Sequence, residues 1–203
     1  MLTVGAATAP VAAALPEFTG PFPKTFTSTS KASLLETVGG KKTKCTADTN
    51  LGEITGPQSG TIRIVFTGCK LGTLSCSNPA GVPGTIATNL LNMTIGYINK
   101  AKKEVGADLV EPNLGFTAYV CGPAIFVKVT GSVIGRITPI NKSVIPAKVF
   151  KLKFAQALGA QQYPNLEAGP VDILESSFGG PPEVTGLAST DAILFGTPVT
   201  LIA

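Results

Sequence analysis

Apolar and polar residues alternate one by one along much of this chain, and that period of two narrows its fold more than any other feature. Across residues 61–67, Ile62, Ile64 and Phe66 fall on one face and Arg63, Val65 and Thr67 on the other, the signature of a half-buried strand. Residues 148–154 repeat the pattern: Phe150, Leu152 and Phe154 are set against Val149, Lys151 and Lys153, so the lysines belong to a solvated face. Phe116, Ala118 and Val120 alternate with Thr117, Tyr119 and Cys121. Residues 124–140 form a β-branched run broken by Gly131, Gly135 and Pro139, which suits a bent or bulged strand pair. Between these runs stand turn signals such as Gly39-Gly40, Gly56-Pro57 and Gly169-Pro170. The expected fold is all-β, an antiparallel sandwich or barrel-like domain with many Gly/Pro turns. Helix is expected only as short pieces, at 155–160 and at 99–104, where a hairpin loop fits the lysines equally.

Charged residues make up 14% of the 203 and hydrophobic ones 44%, which excludes intrinsic disorder. No composition shift divides the chain, so residues 18–203 are expected to form one β domain behind an apolar segment, 1–17. That segment resembles the tail of a secretory signal peptide, with Ala12, Ala13 and Ala14 as an Ala-x-Ala stretch. It equally suits an N-terminal strand. No later segment reaches the ~18 uninterrupted apolar residues of a membrane span, so no transmembrane span is expected.

The chain has no histidine. This removes the Ser-His-Asp triad, the Cys-His pair and imidazole zinc sites. The net charge of +4, with only Arg63 and Arg136 as guanidinium groups and no Trp, is a solubility-scale charge rather than a nucleic-acid footprint. No nucleic-acid partner is expected.

The even set Cys45, Cys69, Cys76 and Cys121 reads as two disulfides in an exported protein, and three connectivities are open. The short turn through Gly72 favours Cys69 with Cys76, which leaves Cys45 with Cys121 as a long staple. Residues 48–53 place oxygen ligands at alternate positions, as calcium loops do. Asp48, Asn50 and Glu53 are therefore the metal candidates, with an ordinary polar turn as the alternative. No other cofactor is indicated. Acid pairs for general acid-base work would be Glu104 with Asp108 and Glu111, and Asp172 with Glu175. Lys100, Lys102 and Lys103 suit a hairpin tip or the approach of an acidic surface polymer.

The phrases FTSTS, LLETVGG, KCTADTNLGEITGP, VFTGCK, IGYINKAKKEVGADL, GSVIGRITPINK and DILESSFGG, in this order, resemble a family of secreted, Thr/Gly-rich β proteins of soil actinobacteria. The resemblance implies export and a β-rich fold, and carries no assigned activity. The expected function is an exported, non-catalytic β-module with a structural or surface-interaction role in the cell envelope or matrix. Its partners would be copies of itself or a cell-surface polymer. Self-assembly by strand addition would use Val11, Leu15 and Phe18 at one end and Ile193, Phe195, Val199 and Leu201 at the other, the favoured alternative being that each segment is an edge strand folded into its own sheet. The alternative is a secreted carboxylate- or calcium-dependent enzyme such as a glycosidase.

Overall fold

The structure is a computed structural model that describes residues 15–113, 115–146 and 148–203. Its strands run β1 (Glu17–Phe18), β2 (Lys24–Ser30), β3 (Ser33–Thr37), β4 (Lys42–Cys45), β5 (Ala47–Ile54), β6 (Ser59–Thr67) and β7 (Lys70–Leu71). They continue as β8 (Leu74–Ser77), β9 (Ile86–Ala87), β10 (Leu91–Asn99), β11 (Glu104–Val110), β12 (Thr117–Cys121), β13 (Ile125–Thr138) and β14 (Ser143–Val144). The last are β15 (Phe150–Phe154), β16 (Gln156–Ala157), β17 (Ala160–Gln161), β18 (Leu174–Phe178), β19 (Glu183–Phe195) and β20 (Val199–Ile202). Every ladder is antiparallel, and the described residues contain no helix. The piece expected as helix at 155–160 is instead the β16–β17 hairpin, and of the two forms open to 99–104 the chain takes the hairpin turn, between β10 and β11. Neither has the apolar spacing that would cover a helix face.

The ladders close on themselves. From β6 they pass through β10, β11, β13, β15, β19, β2 and β5 and return to β6. A second circuit runs from β13 through β12, β8, β7, β4, β3, β19 and β18 back to β13. The long strands β13 and β19 belong to both circuits, and the result is a barrel-like enclosure. Residues 124–140 thus hold one long strand that changes neighbours midway, not a strand pair. The change falls at Gly131, whose φ of +96° excludes most side chains; a Cβ there would meet the Ile173 carbonyl oxygen at 1.9 Å. Beyond it the Gln161 side chain bonds the Ile134 amide (3.2 Å) and the Ser132 carbonyl (2.9 Å), filling the gap between β18 and β15.

Period-two burial fills the interior as the alternation requires. Ile62, Leu91, Val105, Leu109, Ile137 and Leu152 are buried in the first circuit, and Tyr119, Val127, Leu174 and Leu187 in the second. A small sheet, β1–β20–β14, brings Phe18, Val144, Val199 and Leu201 onto this core. Phe18 meets Phe150 edge-on at 6.0 Å and Phe195 at 6.2 Å, while Phe26 lies 5.4 Å from Phe195. Asn141 bonds both backbone groups of Ala203 and so pins the end of β20.

Within the single chain these segments take the alternative to strand donation, as strands of their own sheets. β1 pairs with β20 within the chain, and Ile193 and Phe195 lie inside β19. Phe18, Ile193, Phe195, Val199 and Leu201 are all buried, leaving Leu15 exposed, while Val11 lies outside the described residues. The apolar side chains expected to seek a neighbour's sheet are consumed by their own.

The disulfides are Cys45–Cys69 and Cys76–Cys121, so the turn-closing pairing is also corrected. The four cysteines stand in a row across β4, β7, β8 and β12. Lys44 faces Lys70, which puts Cys45 opposite Cys69, and Cys121 faces Cys76 directly. The Cys76 amide bonds the Cys69 carbonyl at 3.0 Å, so those two form a hydrogen-bonded pair, the wider cross-strand geometry. The Gly122 amide bonds the Ser75 carbonyl, which makes Cys76 and Cys121 a closer, non-hydrogen-bonded pair with Cα atoms 4.0 Å apart. Non-reducing peptide mapping is expected to recover the 45–69 and 76–121 linkages. A linked 69–76 fragment would overturn this register.

Candidate functional site

The barrel interior is not apolar throughout. On β5, Asp48 and Asn50 share the inward face with Ile54; on β2, Ser28 and Ser30 share it with Phe26; on β19, Ser189 and Asp191 share it with Ile193 and Phe195. Register brings these polar positions together, because Ser30 faces Asp48 and Ser28 faces Asn50 across the β2–β5 ladder. The Ser30 amide donates to Asp48 Oδ1 at 3.1 Å and its hydroxyl donates to Asp48 Oδ2. Asn50 Nδ2 donates to Ser28 Oγ (2.8 Å), Asp48 Oδ1 (2.9 Å) and Asp191 Oδ1 (3.0 Å). Ser189 Oγ donates to Asp191 Oδ2 at 3.1 Å.

Asn50 Nδ2 thus bonds one oxygen of each of the two carboxyls, Asp48 and Asp191, and holds them side by side. Burial, then the Asp48 charge, pushes Asp191 up to about 8, so it keeps its proton at neutral pH. Ionising Asp191 would place a second buried negative charge beside Asp48, which is why that charge adds to burial in holding the Asp191 proton. The pair ties β5 to β19 inside the core.

The metal candidates divide between the two sides of the sheet. Asp48 and Asn50 point inward, while Glu53 leaves on the other face, opposite Thr25 and Thr61. The segment is a strand rather than a loop, and a strand sends odd and even residues to opposite sides. The acid that Asn50 meets is Asp191, 141 positions away. Among the described residues no three acidic or cysteine side chains converge as a metal-holding group.

A second acid pair lies outside the core. Asp108 shares a face of β11 with Gly106, away from the core residues Val105, Ala107 and Leu109. The segment after β17 folds across this face: the Glu167 amide bonds the Tyr97 carbonyl at 2.7 Å, and Leu166 lies over Gly96. It carries Asp172 to Asp108, with Ser132 Oγ donating to Asp172 Oδ1 at 2.6 Å. Burial, then the neighbouring Asp172, pushes Asp108 up to about 7. Of the acid pairs expected from spacing, none forms in that combination: Asp108 meets Asp172, and Glu104 pairs with Arg136 at 3.5 Å.

Access decides what this chemistry can do. Asp48 and Asp191 are 2% and 4% exposed, and neither lines the groove of about 800 Å³ to which their hydrogen-bond partners Ser30 and Ser189 contribute. The interior void beside Tyr119 measures about 40 Å³, far below the ~300 Å³ of ligand pockets. The Tyr119 hydroxyl there is engaged with Thr43 at 3.0 Å. The partners Ser189 and Asp191 carried a sequence signal, since they share the parity of Ile193 and Phe195 within one apolar strand. Polar residues on the parity of the core face mark a buried cluster.

Comparison with protein-family models, curated proteins and solved structures finds no match to this chain. Fold and site define a two-disulfide antiparallel β domain, without helix among the described residues, that buries two neighbouring aspartates in its core.

Proposed function

We propose that the protein is an exported, non-catalytic β-module that acts through its surface in the cell envelope or matrix. The observation that carries this reading is the withdrawal of its acid pairs. Asp191 and Asp108 are the carboxyls whose proton affinity suits acid-base work, yet both are buried beside a second carboxyl. Two disulfides fit an oxidising compartment. The sequence resemblance to secreted β proteins points the same way.

A second reading, a carboxylate-dependent glycosidase, draws on Asp108, held at about 7 beside the half-buried Asp172. Glycosidase carboxyls must be open to the sugar, whereas Asp108 is buried beneath the segment that carries Asp172, and Asp172 accepts from Ser132 Oγ. Incubation of the purified protein with polysaccharide and peptide panels is expected to give no products. Turnover that Asp108→Asn or Asp191→Asn abolishes would replace the first reading with the second.

A further inference from the structure

We propose that Lys153, Lys31, Lys44 and Lys70 form one cationic track that holds a linear polyuronate, an acidic polysaccharide with a carboxylate on each sugar. This rests on the surface-module reading and names its ligand class. Three open grooves adjoin one another on the surface. The first, about 800 Å³, is lined by Lys153 and Lys31. It shares Lys31, Ala32 and Ala188 with a second of about 550 Å³, which adds Lys44. The second shares Lys44, Cys45 and Thr46 with a third of about 390 Å³, which adds Lys42 and Lys70. No carboxylate lines any of the three.

The charge along this track is only partly compensated, by Glu36, whose carboxyl is held below its usual value by Lys42 and more weakly by Lys44. Lys42 is paired with Glu36 at 2.9 Å, but among the described residues Lys31, Lys44, Lys70 and Lys153 enter no ion pair, and all four are exposed. Lys44 and Lys70 stand directly opposite each other on β4 and β7. Like charges so placed cost stability, and an anion laid over them reverses the sign of that term. Both lysines adjoin a cysteine of the Cys45–Cys69 bridge, which locks the two strands and leaves little backbone order to be gained on binding. On β15, the exposed Lys151 extends the positive field beyond Lys153.

The groups between the lysines select the polymer. Thr29, Thr190, Gln162 and Thr46 offer hydroxyls and amides that match sugar hydroxyls. The one aromatic in the linings, Phe154, is buried, so the track lacks the stacking platforms on which single-stranded nucleic acid depends.

The test uses the full chain and polygalacturonate, with dextran, polyphosphate and single-stranded DNA as comparisons. The triple variant Lys31→Gln, Lys44→Gln, Lys153→Gln and the control Lys100→Gln, Lys102→Gln, Lys103→Gln each lower the net charge from +4 to +1 (4 − 3). All six side chains are exposed, so both variants are expected to keep the wild-type melting curve. Polygalacturonate should bind the wild type, weaken about tenfold with the track variant, stay within about twofold with the hairpin control, and be displaced as salt rises from about 0.05 M to about 0.5 M. Equal loss in both variants would overturn the track in favour of diffuse attraction. Equal binding of dextran, or binding of polyphosphate or DNA in place of polygalacturonate, would overturn the ligand class and leave the module reading standing. Shortening of the polymer during incubation would overturn the module reading itself.

Discussion

Replacing Phe195 with alanine is expected to cost about 4 kcal/mol of folding stability, a large share of the ~5–15 kcal/mol that holds a domain together. Phe195 is 3% exposed and its ring meets Phe18, Phe26 and Phe150 at 5.4 to 6.2 Å. The loss therefore falls on three elements at once: the small sheet through Phe18, β2 through Phe26 and β15 through Phe150. Because β19 is laddered on both sides here, the backbone has little freedom to collapse into the space. Leu194, one residue earlier, points outward and is 41% exposed. Its alanine variant is expected to change stability by less than about 0.5 kcal/mol. Denaturant unfolding of the two variants checks the contrast. A Phe195→Ala loss below about 1 kcal/mol would show that the aromatic cluster does not carry the end of the barrel.

The second expected result is a loss of stability on the alkaline side that begins unusually early. Asp191 is raised from 3.8 to about 8 and Asp108 from 3.8 to about 7, so the folded protein holds these protons more tightly than the unfolded chain does. Their stabilisation is full below about pH 4 and is lost as pH rises through about 7 and then about 8. Glu36 and Glu183, lowered by hydrogen bonds from Lys42 and Lys41, titrate below their ordinary value and so outside that window. Between about pH 5 and about pH 9 the wild type should lose several kcal/mol, up to about 7 at ~1.36 per pH unit over which the folded protein alone holds each proton. Asp191→Asn carries no titrating proton and should flatten the curve above about pH 7, with Asp108→Asn removing most of the remainder. Unfolding midpoints that stay level across this range in the wild type would mean that the paired carboxyls do not hold their protons as their burial requires.

Much of this architecture is readable from single strands. Alternation at residues 61–67 and 150–154 set both the strands and their buried faces, because a side chain's side of a sheet follows from its parity alone. The same parity places Ser28, Ser30, Asp48, Asn50, Ser189 and Asp191 among core positions. It also argues against Glu53 as their companion. What parity does not contain is which strand lies beside which.

That question separates the successful expectations from the corrected ones. Cys69 and Cys76 are close along the chain, yet β7 lies between β4 and β8, and each cysteine bonds its other neighbour. The terminal apolar segments advertise burial, and only the β1–β20 ladder shows that they bury each other. Asp108 and Asp172 meet because a segment folds over β11, which no local spacing announces. The lysines at 31, 44, 70 and 153 look like ordinary solvated positions until two circuits of strands set them along adjoining grooves. The sequence by itself determined element type, inward face and the absence of imidazole chemistry, since these depend on residue identity and a fixed local period. Strand partners, disulfide connectivity, the meeting of the acids and the cationic track were decided by tertiary structure, because hydrogen bonds and Coulomb forces act across space between residues that the chain order keeps far apart.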